Sequence, residues 1–121
     1  GNCTHVWNYE TTTQHVFPEL ARSMRESAFE LAERMNGIIP IRLALPEGSQ
    51  SEGTTAADGT MGQIIKAYMD WQMLGDSNWL VELWPRIRKT MEFAWVENGW
   101  DSDRDVVSII WALCGLPRRW L

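Results

Sequence analysis

The first ten residues, Gly1-Asn2-Cys3-Thr4-His5-Val6-Trp7-Asn8-Tyr9-Glu10, gather a thiol, an imidazole, an indole, a phenol, two amides and a carboxylate. Such crowding, without helical or strand periodicity, suits the wall of a polar pocket better than a scaffold segment. Cys3, His5 and His15 raise metal binding. Their C-x-H spacing is not that of a zinc knuckle and no second cysteine pair follows, so a hydrogen-bonded histidine is the better reading. No metal or cofactor is implied. Asp101, Asp103 and Asp105 alternate as the carboxylates of a calcium loop do, but Val106 stands where such a loop needs glycine and no closing Glu arrives. A polar turn is expected there. Glu10 and Asp58 are carboxylates whose pairing, at about 5–9 Å, would suit glycosidic hydrolysis, yet their spacing in the chain does not show that they meet. Asp58 reads first as the N-cap of the helix it precedes, and a capping carboxylate at a cavity edge can also bind a hydroxyl.

Helices must position these groups. From Thr11 to Asn36, Val16, Phe17, Leu20, Met24, Leu31 and Met35 recur at helical spacing, with Arg22, Arg25, Glu26, Glu30, Glu33 and Arg34 mostly opposite. Pro18 either starts this helix or kinks it, and Asn36-Gly37 ends it in the left-handed conformation. Ile38 to Pro46 reads as a short extended segment, and Glu47 to Ala57 as a loop. A second helix is predicted from about Thr60 to Leu74, carrying Met61, Ile64, Ile65, Tyr68 and Trp71 and stopped by Gly75. Asp76 then caps a third helical stretch, from Trp79 to Trp95, which Pro85 is expected to divide. The one- or two-residue link at Gly75-Asp76 predicts an antiparallel pair. The fold class is therefore all-α, with about three to four helices and one short extended segment.

A chain of 121 residues supports one core, and 45% apolar with 22% charged residues is the composition of a soluble globular protein. A net charge of −5 gives it no attraction to nucleic acid or anionic membrane. Eight tryptophans offer faces to sugar rings, though filling helix–helix seams is their commoner use. Cys3 and Cys114 make no disulfide framework, which favours a reducing, cytoplasmic location. No transmembrane segment is visible, and the oligomeric state stays open. The absence of an initiator Met suggests a piece of a longer protein.

The series CTHVWNYE, FPELARSMRE, AADGTMGQIIKAYMDWQMLGD, LWPRIRK and FAWVENGWDSDRD, in that order over residues 1–105, resembles the catalytic region of glycoside hydrolase family 116. That family includes the bile-acid β-glucosidase, or non-lysosomal glucosylceramidase. The resemblance implies an (α/α)6 toroid, of which this chain would be about the first third, and a retaining β-glycosidase acting on a β-glycoside substrate. It also implies that Trp84, Trp95 and Ile87 are left with few partners in so small a part of the ring.

In the family a carboxylate nucleophile follows the WDxDxD turn, and the acid/base Asp comes well over a hundred residues later. Here the resemblance stops after Asp105. Residues 106–121 form a non-matching, apolar tail without an acidic residue, as a shifted reading frame or a chimeric join would give. No catalytic residue is therefore assigned, and the region is expected to be inactive alone. The positions that carry over are substrate-binding ones. Trp7 would offer a face to substrate, while His5 and Asp58 would hydrogen-bond a hydroxyl or a neighbouring side chain. The alternative is a non-catalytic helical binding or interaction module derived from the enzyme.

Overall fold

The computed structural model describes residues 2–43 and 55–104. The end of the expected extended segment (residues 44–46), most of the expected Glu47–Ala57 loop (residues 47–54), Asp105, Cys114 and the whole non-matching tail lie outside the described residues. The fold is all-α. Two short helices, α1 (Thr4–Trp7) and α2 (Thr12–Val16), precede three long ones, α3 (Pro18–Arg34), α4 (Ala57–Leu74) and α5 (Ser77–Glu92), and a 3₁₀ turn covers Phe93–Trp95. The count exceeds the three to four helices expected because the N-terminal ten residues contain α1 and because the Thr11–Asn36 pattern breaks at Phe17. Pro18 occupies the first turn of α3, where its missing N–H costs no helical bond.

The helix ends follow their local chemistry. Asn36 (φ 58°) and Gly37 (φ 97°) close α3, the Gly37 amide donating to the Ala32 carbonyl at 2.7 Å. A side chain at Gly37 would meet the Lys89 carbonyl oxygen of α5 at 2.8 Å, so this turn also needs glycine for space. Gly75 (φ 70°) ends α4, and Asp76 caps α5 by accepting the Trp79 amide at 3.1 Å. Pro85 does not divide α5. It lacks the amide that would bond the Val81 carbonyl, but both residues face solvent, Val81 being 70% exposed, so water can satisfy that carbonyl. Instead α5 ends at Glu92, and Ala94 and Trp95 fall in the 3₁₀ turn.

Helices α4 and α5 form the expected antiparallel hairpin, and α3 packs against both. Phe29, Ala32, Ile39, Ala67, Trp79, Leu83 and Ile87 make the core, edged by Ile64, Trp71, Leu80 and Met91. Ile87 is thus well partnered, and Trp95 donates its indole N–H to Asp101 at 2.9 Å, whereas Trp84 is exposed as anticipated. One face was misjudged. The buried stripe of α3 is Ala21, Arg25, Ala28, Phe29 and Ala32, while Val16, Phe17 and Leu20 are exposed. Small alanines let α3 approach its neighbours closely, and the inward charge of Arg25 is met by a carboxylate of α4.

At the other end of α3, Arg22 bridges Glu26 and Asp76, each at 3.0 Å, and lies over the Trp79 ring. The Trp79 indole N–H donates to Glu26 at 2.8 Å. This knot holds the start of α5 on the start of α3, so α3 and α5 run parallel and α4 runs against both. The segment after α3 is extended, with isolated bridges joining Cys3 to Arg42 and Pro40 to Thr55. No described helix is long and apolar enough to cross a membrane.

The two turn glycines separate conformational from steric cost. Gly75→Ala has open space and should lose only about 1 kcal/mol, from the left-handed backbone. Gly37→Ala adds the collision with the Lys89 carbonyl and should lose more. Urea midpoints at unchanged m-value measure both, and equal losses would contradict the close approach of α3 to α5.

Candidate functional site

The N-terminal segment is held to the main chain of the extended segment after α3, and α1 packs on α4. The Thr4 amide donates to the Ile41 carbonyl at 2.9 Å, the Leu43 amide to the Asn2 carbonyl at 3.0 Å, and the Thr4 hydroxyl to the Pro40 carbonyl at 3.0 Å. Thr4 is buried, which fixes the direction of α1. Two glycines one turn apart on α4 then let α1 lie directly on the helix backbone. A Cβ at Gly59 would sit 3.0 Å from the Thr4 hydroxyl and 3.3 Å from the His5 nitrogen, and one at Gly62 would overlap the Asn8 carboxamide.

Of the three substrate-binding candidates, the structure brings His5 and Asp58 together. The Asp58 carboxylate pairs directly with His5 Nδ1, across 53 positions of sequence. Asp58 is not the N-cap. That position belongs to Ala56, whose side chain makes no cap, and the helix starts three residues before Thr60. From inside the first turn Asp58 instead accepts the Gly59 amide at 2.8 Å and places negative charge where the helix dipole favours it. The Asn8 carboxamide donates to the Asp58 carbonyl at 2.5 Å. Tyr9 meets the His5 ring edge-on, with centroids 5.5 Å apart.

Trp7, the third candidate, is half-buried and packs against Arg25. The Arg25 guanidinium lies over its ring, 5.9 Å from the centroid. Arg25 is buried with Asp70, Nε to Oδ2 at 3.3 Å, and Lys66 lies beside them and donates to the Glu10 carbonyl oxygen. Burial lowers the Arg25 pKa to about 10 despite the neighbouring carboxylates, raises that of Asp70 and lowers that of Lys66. Gln14 and Gln63 complete this polar interior, the first placing its amide against the Met69 sulfur at 3.8 Å. Both Gln63 side-chain polar atoms are buried without a hydrogen-bond partner among the described residues.

Sequence reading missed Lys66, Asp70 and Gln63 and put Arg25 on the outer face. The recoverable signal was spacing: Gly59, Gly62, Gln63, Lys66 and Asp70 recur three and four apart, a narrow stripe of small and polar residues opposite Ile65 and Tyr68, which are exposed.

The remaining candidates do not converge on one point. Glu10 is not joined to Asp58. Its carboxylate accepts the Thr13 amide at 2.7 Å, and that bond lowers its pKa. Asp101 is buried, while Asp103 is exposed, so these two carboxylates do not share a direction. His15 bonds the Thr11 carbonyl on the surface at 2.7 Å, and Cys3 is a free thiol. Among the described residues no group of three or more His, Cys, Asp or Glu side chains could hold a metal ion. No protein-family model, curated protein or solved structure matches this chain.

Removing one member of the buried pair should be costly. Asp70→Ala leaves Arg25 charged in the interior and should lose about 3–5 kcal/mol, whereas Arg25→Met with Asp70→Leu should recover most of the loss. Urea denaturation of the two variants measures this, and a mild single-variant effect would mean that solvent reaches the pair. On the acid side Glu10 and Asp70 act oppositely. Glu10 contributes stability that is present above its ordinary value of 4.5 and lost as pH falls through its lowered folded value. Asp70, raised from 3.8, gives a contribution that grows on acidification toward that value. Glu10→Gln should therefore flatten the loss of melting temperature below pH 4.5, and an unchanged acid slope would count against the Thr13 bond.

Proposed function

We propose that this chain is the N-terminal part of the catalytic domain of a retaining β-glycosidase of the family 116 type, and that it supplies one wall of the sugar site rather than the reacting carboxylates. One observation carries the reading. Residues of motifs far apart in sequence meet, His5 of the THVW run with Asp58 of the ADG run. The antiparallel hairpin also brings the described part of the WDSDRD run, residues 100–104, to the same end of the fold as that pair. A chance likeness of short motifs does not require them to converge, whereas a binding site does.

The chemistry of the wall suits a sugar. Pyranosides carry hydroxyls around an apolar ring, and they are held by polar acceptors beside aromatic surfaces. His5 and Tyr9 provide such a mixed surface. Four carboxylates among the described residues are committed elsewhere: Glu10 at the start of α2, Asp70 to Arg25, Asp76 at the start of α5 and Asp101 to Trp95. None of these four stands as an unengaged nucleophile. The all-α core of consecutive hairpins is what the first part of an (α/α)6 toroid would require.

The expected outcome with the isolated chain is binding without turnover. Methyl β-glucoside should bind in the millimolar range, about −4 kcal/mol, and perturb the backbone resonances of His5 and its neighbours. An aryl β-glucoside should not be hydrolysed. Saturable hydrolysis would show that the reacting groups lie within these residues, and the absence of any glucoside-induced shift would sink the sugar-site reading.

A further inference from the structure

The His5–Asp58 pair has a polarity that sequence does not reveal. An ionised carboxylate can only accept hydrogen bonds, so the imidazole nitrogen facing Asp58 must carry the proton. That nitrogen is Nδ1. Both carboxylate oxygens are engaged, Oδ1 with the Gly59 amide at 2.8 Å and Oδ2 with His5. The aspartate is held further through its own carbonyl, which accepts from Asn8 at 2.5 Å. The histidine is held from the other side by the close seat of its backbone on Gly59 and by the edge of Tyr9. The imidazole is nonetheless 42% exposed.

We propose that Asp58 is a positioning residue that holds His5 in the Nδ1–H form, so that Nε2 offers its lone pair to a hydroxyl of the bound sugar. This rests on the sugar-site reading above and divides the labour within it: His5 touches the ligand, and Asp58 acts through His5. A metal ion is the other ligand an imidazole lone pair attracts, but too few ligating side chains gather with His5 among the described residues. A hydroxyl needs only the one acceptor.

The test is long-range proton–nitrogen NMR on the imidazole, with and without methyl β-glucoside. The expected result is a proton on Nδ1 in the free chain and a shift of Nε2 on adding the glucoside. In Asp58→Asn the amide oxygen keeps the Gly59 bond and the amide N–H turns to His5, so the proton should move to Nε2. Glucoside binding should then weaken about tenfold, as for one lost hydrogen bond, with little change in melting temperature. A pair that merely ties α1 to α4 would lower the melting temperature and leave Nε2 indifferent to the sugar.

A proton on Nε2 in the free chain overturns the inference and leaves the sugar site standing. So does a silent Nε2 while the Trp7 and Asn8 amides respond to glucoside. If no resonance responds, the sugar site fails and the inference with it. Should Asp58→Asn not fold, His5→Phe supplies the second variant. It keeps an aromatic ring beside Tyr9 but removes both imidazole nitrogens, and should weaken glucoside binding about tenfold; unchanged affinity overturns the assignment.

Discussion

The buried Arg25–Asp70 pair is the constraint around which the other elements are arranged. Two opposite charges in an interior are tolerated only when they face one another closely, so their positions along α3 and α4 set how the two helices rotate and slide. Once α3 is turned to bring Arg25 inward, Ala21, Ala28 and Ala32 must face in as well, and Leu20 and Phe17 must face out. The same rotation presents the guanidinium to Trp7, and so places α1 over α4. A wholly apolar seam would permit several rotations of α3, because hydrophobic attraction has no direction. The ion pair selects one.

Glycine does the complementary work on α4. Gly59 and Gly62 remove side chains where α1 arrives, so the Thr4 hydroxyl, the His5 backbone and the Asn8 carboxamide rest directly on the helix. A helix of four residues has little stability of its own, since nucleation uses up what so few bonds return. It exists here because its Thr4 end is bonded to the extended segment and its underside rests on α4. The dyad is therefore positioned by tertiary contacts on both sides, not by the propensity of the residues that compose it.

Local punctuation was legible in the sequence, because its chemistry is confined to a few neighbours. Pro18 starting α3, Asn36-Gly37 ending it, and the Gly75 stop followed by the Asp76 cap all required only the residues themselves. Rotation of the helices was not legible, because it depends on a partner 45 residues away: Arg25 looks like a solvated charge until Asp70 is set opposite it. For the same reason His5 and Asp58 could be singled out by type and motif, but not as partners of one another. Pro85 was overread because the cost of a lost helical bond depends on which side of the helix it faces.

The two-residue link between α4 and α5 has a further consequence for the site. Asp58 lies 17 residues before Gly75, so at 1.5 Å per residue the dyad stands about 25 Å from the closed end of the hairpin. The helices are joined at one end like the arms of tweezers, and the chemistry sits at the tips. A small change of angle at the base becomes a displacement of ångströms between the start of α4, which carries the dyad with α1, and the end of α5. The Arg22–Glu26–Asp76–Trp79 knot braces that base, so side chains remote from any ligand govern how accurately the tips are held.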